Sequence, residues 1–187
     1  MSQRRDELAQ GTLDYLLRQG VAGLSLRPLA AEIGTSARLL VYHFGSREGL
    51  ITAAMDELRR RVQDSFAQMT ARSGRTSNQS VLRTFWNWTL HPDNVPLMRL
   101  LFEVQVLALQ NPDEYARYLE GSSSSWLDLI ETSLPPSTDN RTVATLCAAV
   151  IDGLFLEYLS TGEKARTTRA LETFDRMLAS RPTRDKS

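Results

Sequence analysis

The run from Leu24 to Leu50, LSLRPLAAEIGTSARLLVYHFGSREGL, decides how this chain folds. Apolar residues recur three and four apart on either side of Gly34-Thr35-Ser36, which predicts two short helices joined by a tight turn. Ser25 is placed to cap the first. Pro28 falls in its first turn, where a missing N–H costs nothing, and Gly34 stops it. Ser36 is placed to cap the second, Ala37 to about Phe44. Gly45-Ser46 breaks it, and Ser46 caps a long fourth helix.

Leu29, Ile33, Leu40 and Phe44 can bury one face of this pair on a preceding helix. Thr35, Ala37, Arg38, Leu39, Tyr42 and His43 are then left outside, with Arg27 and Arg47 at the edges. Two short helices around a glycine turn form the helix-turn-helix pattern, whose second helix lies in the major groove of DNA while the first braces it. Arg38 and Tyr42, four apart, share a face. Arginine reads guanine bidentately, and hydroxyl and imidazole donors suit phosphate oxygens. Arg47 opens the fourth helix, where a cation opposes the helix dipole, and a phosphate partner would explain it. Each group also has a plainer reading: Arg47 paired with Glu48, His43 at a helix end, Tyr42 packed half-buried.

The chain has 187 residues, 42% hydrophobic and 24% charged, the composition of an ordinary globular protein with enough length for a core. Its single cysteine, Cys147, excludes an internal disulfide and fits a reducing, cytoplasmic setting. The start, MSQRRDELAQ, has no apolar run, so no signal peptide is expected, and no stretch reads as long and apolar enough to span a bilayer. The formal net charge of zero hides a segregation. Residues 1–99 carry 13 basic and 9 acidic side chains, residues 100–163 carry 2 and 10, and residues 164–187 carry 7 and 3. A polyanion partner at one end is compatible with that pattern.

The rest of the chain also reads as helix, giving an all-α protein of about nine helices. The first runs from about Arg4 to Gln19 with Leu13, Leu16 and Leu17 on one face, and Gly20 ends it. The fourth, residues 47–72, carries the stripe Ile51, Met55, Leu58, Val62, Phe66 and Met69. Further helices are predicted at about 78–91, 94–110, 113–133, 139–161 and 165–180, with His91-Pro92, Asn111-Pro112 and Pro135-Pro136 as stops. Gly121 to Ser125 is a place for the 113–133 helix to kink or split. Residues 1–47 are predicted to form one domain and 48–187 a second, with the fourth helix linking them.

The run from Leu16 to Ala54, LLRQGVAGLSLRPLAAEIGTSARLLVYHFGSREGLITAA, resembles the N-terminal domain of the TetR family of bacterial repressors. The shared features are a glycine after helix one, S-x-R-x-L-A opening helix two, G-x-S at the turn, YHF closing helix three, and a basic residue plus Leu opening helix four. The resemblance implies that Arg27 contacts a base and that Tyr42, His43 and Arg47 contact phosphate. Thr35, Ser36, Ala37, Arg38 and Leu39, read from the outer face of the turn and helix three, complete the expected DNA-binding set. Val41 stands where the family usually has Tyr, which removes one backbone contact. Leu39 replaces a small polar residue and suits a thymine methyl.

The same resemblance implies that the later helices bind a ligand and dimerise. Gln105, among Leu101, Val104 and Ala108, is a polar amide on an apolar face and needs a partner, either a neighbouring helix or a ligand. Arg99, Glu103 and Gln110 form a wet stripe with an ion pair four apart. Trp86, Met98, Phe102, Trp126 and Phe155 offer apolar and aromatic surface for a core or for a pocket, and Asp152 could line a pocket or cap a polar gap. With two histidines and one cysteine, far apart, no metal site is expected, and no cofactor. The helix at 139–161 is apolar on most sides and is expected to be buried all round. Thr145, Ala149 and Gly153 place small residues on one seam, and Leu171, Phe174, Met177 and Leu178 share a face of the next helix. These two helices are expected to pair with their copies in a homodimer.

The chain is therefore expected to be a homodimeric repressor that holds a near-palindromic double-stranded operator and releases it on binding a small, largely apolar or aromatic effector. No membrane partner is expected. The alternatives are a ligand-dependent activator or co-repressed regulator of the same fold, and a small-molecule binding protein without DNA function. The sequence shows no nucleophile–base pair, paired carboxylates at motif spacing or phosphate loop, so an enzyme is not expected.

Overall fold

The structure is a computed structural model that describes residues 3–73, 80–132, 134 and 139–180, except for the side chains at 66, 67, 69–73, 122–126 and 129. Among the described residues there are nine α-helices and no strand, in agreement with the all-α reading. They are α1 (Gln3–Gln19), α2 (Leu26–Glu32), α3 (Ala37–Phe44), α4 (Arg47–Ser73), α5 (Val81–Thr89), α6 (Val95–Gln110), α7 (Ala116–Thr132), α8 (Asn140–Thr161) and α9 (Lys164–Ala179).

Local chemistry sets most of these ends. Ser36 Oγ accepts the Leu39 amide at 3.2 Å and opens α3, and Ser46 Oγ accepts the Gly49 amide at 3.0 Å and opens α4. Ser80 does the same for α5 through the Arg83 amide. Ser25 has the extended backbone of a cap, but its side chain makes no cap bond. Its carbonyl accepts the Leu29 amide instead, and Pro28 needs no partner in that turn. Gly34, at φ +68°, turns the chain between α2 and α3, a conformation other residues adopt at a cost.

The chain divides into two compact units, residues 1–68 with 91–121, and residues 69–90 with 122–187. In the first, α2 packs on α3 and α1 on α6. Leu8, Leu13, Leu16, Leu29, Leu40, Leu50, Ile51, Met55, Leu58, Val62, Leu100 and Val104 are closed off from water. Because α4 and α6 pack with the helix-turn-helix, this unit runs past residue 47, where the sequence suggested a boundary. In the second unit, α9 packs on α5 and α8 around Trp86, Ile151, Phe155 and Leu171. Ser80 Oγ donates to Asp175 at 2.8 Å and Trp86 Nε1 to Thr168 Oγ1 at 3.0 Å.

Four expectations about the later helices change. Helix α7 runs unbroken through residues 121–125, where a kink was expected, because its backbone ladder continues through the serines. Helix α8 is buried on one side only: Val143, Ala144, Cys147, Ile151 and Phe155 face inward, while Leu146 (48%), Leu156 (47%) and Leu159 (36%) stay exposed. One chain supplies neighbours for half the circumference of that helix. On α9, Leu171 is buried and Phe174 and Leu178 are half-buried, but Met177 is 64% exposed, so the expected face is only partly covered. Among the described residues α8 is also the one helix long and apolar enough to cross a membrane, which the sequence reading had excluded. Between residues 142 and 159 only Asp152 and Glu157 carry a charge.

Candidate nucleic-acid interface

Helices α2 and α3 turn one face inward and leave the other open. Leu29, Ala30, Leu40 and Phe44 are buried and Ile33 is half-buried, so the pair is fixed by apolar burial. On the open side Tyr42 is 80% exposed, and Arg38 lies one turn before it, also exposed. Arg27 is exposed on the first turn of α2. Neither Arg27 nor Arg38 makes a hydrogen bond or ion pair with any described residue. The Tyr42 and His43 rings meet edge to face at 5.3 Å, which limits the freedom of both side chains. Val41, in place of the tyrosine common in the resembling family, is 43% exposed beside them.

The end of α3 is held from α1. Arg5 Nε donates to the His43 carbonyl at 3.4 Å, and its guanidinium lies 4.9 Å over the Phe44 ring. A cation at a helix C-terminus is favourable, and stacking adds to it. This brings the start of α1 against the last turn of the exposed helix. His43 itself is half-buried.

Some residues expected on the DNA face have partners inside the chain. The Ser36 hydroxyl is used as the α3 cap, and Ala37 and Leu39 are half-buried. The Thr35 hydroxyl oxygen is covered and has no hydrogen-bond partner among the described residues. Arg47 does not stand waiting for a phosphate. Its Nε donates to the Leu24 carbonyl at 3.0 Å and its Nη1 meets Glu48 Oε1 at 3.4 Å, which also offsets its place at a helix start.

Sequence reasoning missed two residues that shape this face. Gly49, in the first turn of α4, lies so close to α3 that a β-carbon there would be 2.2 Å from the Phe44 carbonyl oxygen. Glu103, assigned to a wet stripe of α6, does face Arg99 at 3.8 Å, but it also accepts the Val21 amide at 3.2 Å. No periodic signal links residues 82 positions apart.

The residues expected to line a ligand pocket divide between the units. Met98, Phe102 and Gln105 lie on α6 in the first, with Met98 buried and the other two half-buried. Trp86, Asp152 and Phe155 lie in the second. Trp86 and Phe155 are fully enclosed there, as core side chains are, while Asp152 is exposed on α8. Trp126 belongs to α7, and its side chain lies outside the described residues.

Residues 10–54, which contain this whole helix-turn-helix, match the family of bacterial regulatory proteins, tetR family. That match places a TetR-type DNA-binding segment at the start of the chain. Similarity of TetR-family proteins to this one extends along its length. It is 28% identical to the HTH-type transcriptional regulator BetI of Paraburkholderia xenovorans, over 95% of each chain. It is 29% identical to the regulatory protein RaaS of Mycobacterium tuberculosis, over 87% of this chain and 74% of that one. Among solved structures, the multidrug binding protein EbrR complexed with imidazole superposes with a TM-score of 0.73 at 25% identity, over 99% and 100% of the two chains. EbrR has also been solved with proflavin and with ethidium. The matched family and the curated relatives are transcriptional regulators rather than enzymes.

Proposed function

We propose that two copies of this chain hold a near-palindromic operator in the cytoplasm as a repressor, and that a small, largely apolar or aromatic effector releases them. The observation that carries the DNA half is the open face of α2 and α3. Arg27 and Arg38 are charged, exposed and unpaired within the described residues, and Tyr42 stands one turn from Arg38. In this reading Arg27 and Arg38 read base edges, Leu39 and Ala37 touch base methyls, and Tyr42, His43 and the backbone of the Thr35-Ser36 turn meet phosphates. Arg47 contributes by placement, since its side chain is held by Leu24.

Dimerisation is proposed through α8 and α9. Leu146, Leu156, Leu159 and Met177 are exposed apolar side chains in one unit, and Ala149 and Gly153 are small enough on α8 for another helix to come close. A second copy covers this face in an isologous contact. Two recognition helices would then enter major grooves about 34 Å apart. For the effector, Phe102 and Gln105 of α6 are the assigned contacts, half-buried beside Met98. The enclosed Trp86 and Phe155 support the core of their own unit, and Asp152 lies on the proposed dimer helix. EbrR, bound to proflavin and ethidium, shows what a related chain accepts.

The test is selection of bound fragments from the host genome by the full chain, followed by sedimentation of the complex. Enrichment of an inverted repeat carrying two chains is the expected result. Absence of any enriched sequence, or a single chain on a half-site, overturns the proposal.

A further inference from the structure

The turn between α1 and α2, residues 20–24, is held at both ends by side chains from outside α1, α2 and α3. At its start, Glu103 Oε2 of α6 accepts the Val21 amide at 3.2 Å, while Oε1 faces Arg99 Nε at 3.8 Å. At its end, Arg47 Nε of α4 donates to the Leu24 carbonyl at 3.0 Å. Val21 and Leu24 are 5% and 8% exposed, so these backbone groups have little water to fall back on. Gly20 makes room for the first contact. Its φ is +75°, and a β-carbon on it would lie 3.2 Å from Glu103 Oε2. Burial pushes the hydroxyl of Tyr115, just before α7, up, and the positive charge of Arg47 acts against that rise.

We infer that Glu103 is a positioning residue for operator binding, through which α6 holds the α1–α2 turn directly rather than by way of α4. This rests on the reading of the chain as an operator-binding regulator with effector contacts on α6. Phe102 adjoins Glu103 in sequence and Gln105 lies two residues on, so a group seated against them moves a rigid helix that carries the Glu103 carboxylate. A hydrogen bond at 3.2 Å has little slack: a displacement of about 1 Å takes it beyond bonding distance. The start of the turn then loses its amide partner, and α2, with Arg27 on its first turn, is no longer fixed against α6.

The experiment compares the full wild-type chain with Glu103→Gln, Glu103→Asp and Glu103→Ala. The readouts are hydrogen exchange of the Val21 amide, operator affinity on a fragment recovered by genomic selection, and the salt dependence of that affinity. Gln keeps an acceptor at the same reach and should behave as wild type. Asp keeps the charge but falls short by one carbon, and Ala removes the acceptor. Both should speed Val21 exchange about tenfold and weaken the operator about threefold or more. The salt slope should not change, because Glu103 meets no phosphate. Unchanged exchange in Asp and Ala overturns the clamp, and faster exchange with unchanged operator affinity overturns its positioning role. If wild type recovers no operator, the proposed function fails, and the exchange comparison, which needs no DNA, still decides the clamp. Asp preserves the charge, so it remains informative if Ala does not fold.

Discussion

Gly49 faces the carbonyl oxygen of Phe44 with no room for a side chain: a β-carbon there would lie 2.2 Å from it. Helix α4 therefore starts in direct contact with the last residue of α3, and the absence of one side chain sets how closely the two approach. The Gly49 amide meanwhile caps back to Ser46 Oγ at 3.0 Å. The neighbouring atom is backbone, so it cannot swing aside as the end of a side chain could.

Gly49→Ala should therefore destabilise the chain by about 1–3 kcal/mol, the usual effect of overpacking a tight contact. Urea denaturation measures this, and operator affinity should fall with it because α3 is displaced. An unchanged denaturation midpoint would show that α3 and α4 do not approach this closely.

Arg47→Ala separates two readings of one arginine. The bond to the Leu24 carbonyl makes it a structural residue, and its loss should lower stability by about 1–3 kcal/mol. A purely phosphate-binding arginine would leave the urea midpoint alone and flatten only the salt dependence of binding. Arg38→Ala serves as the comparison, since Arg38 has no bond within the described residues to lose.

The exposed face of α8 and α9 gives a third expectation. Leu146→Glu and Met177→Glu place charges where Leu146 and Met177 are 48% and 64% exposed in the single chain. The isolated fold should tolerate both. In a dimer closed over that face each charge would be buried without a partner, a loss of several kcal/mol. Sedimentation should show monomers with wild-type helical content. Intact dimers carrying both substitutions would place the interface elsewhere.

Helix existence and most boundaries were legible in the sequence because they depend on local chemistry. Ala37–Phe44 follows from a serine cap and a glycine stop, and the buried Leu29, Leu40 and Phe44 follow from spacing. Arg47 and Glu103 were misjudged for one shared reason. Each meets a backbone group of the 20–24 turn, and a backbone acceptor or donor leaves no mark in the pattern of side chains. Gly49 read as an unremarked first-turn residue because close approach is a property of two elements together. The face of α8 was misread as fully buried because an apolar stripe looks the same whether its own chain or a second copy covers it.

Asp152 gives the chain a pH signature. Burial pushes its carboxyl up to about 6, although the side chain still reaches solvent in the single chain. Because Asp152 is exposed, the effect on stability should be small. The folded state holds the proton more tightly than the unfolded one, so stability falls as pH rises from about 4 to about 6 and levels off above. Asp152→Asn should remove that part of the pH dependence, read by thermal midpoints across the window. Identical profiles for wild type and variant would contradict the shift.

The central claim is that the unpaired arginines of α2 and α3 face base edges, and competition binding tests it most directly. Wild type, Arg27→Ala and Arg38→Ala are titrated at one salt concentration onto the selected operator and onto a scrambled duplex of equal length. Wild type should prefer the operator, and each variant should lose about 1–3 kcal/mol of that preference while binding the scrambled duplex nearly as before. Equal weakening on both duplexes, or a wild type that does not distinguish them, contradicts the account.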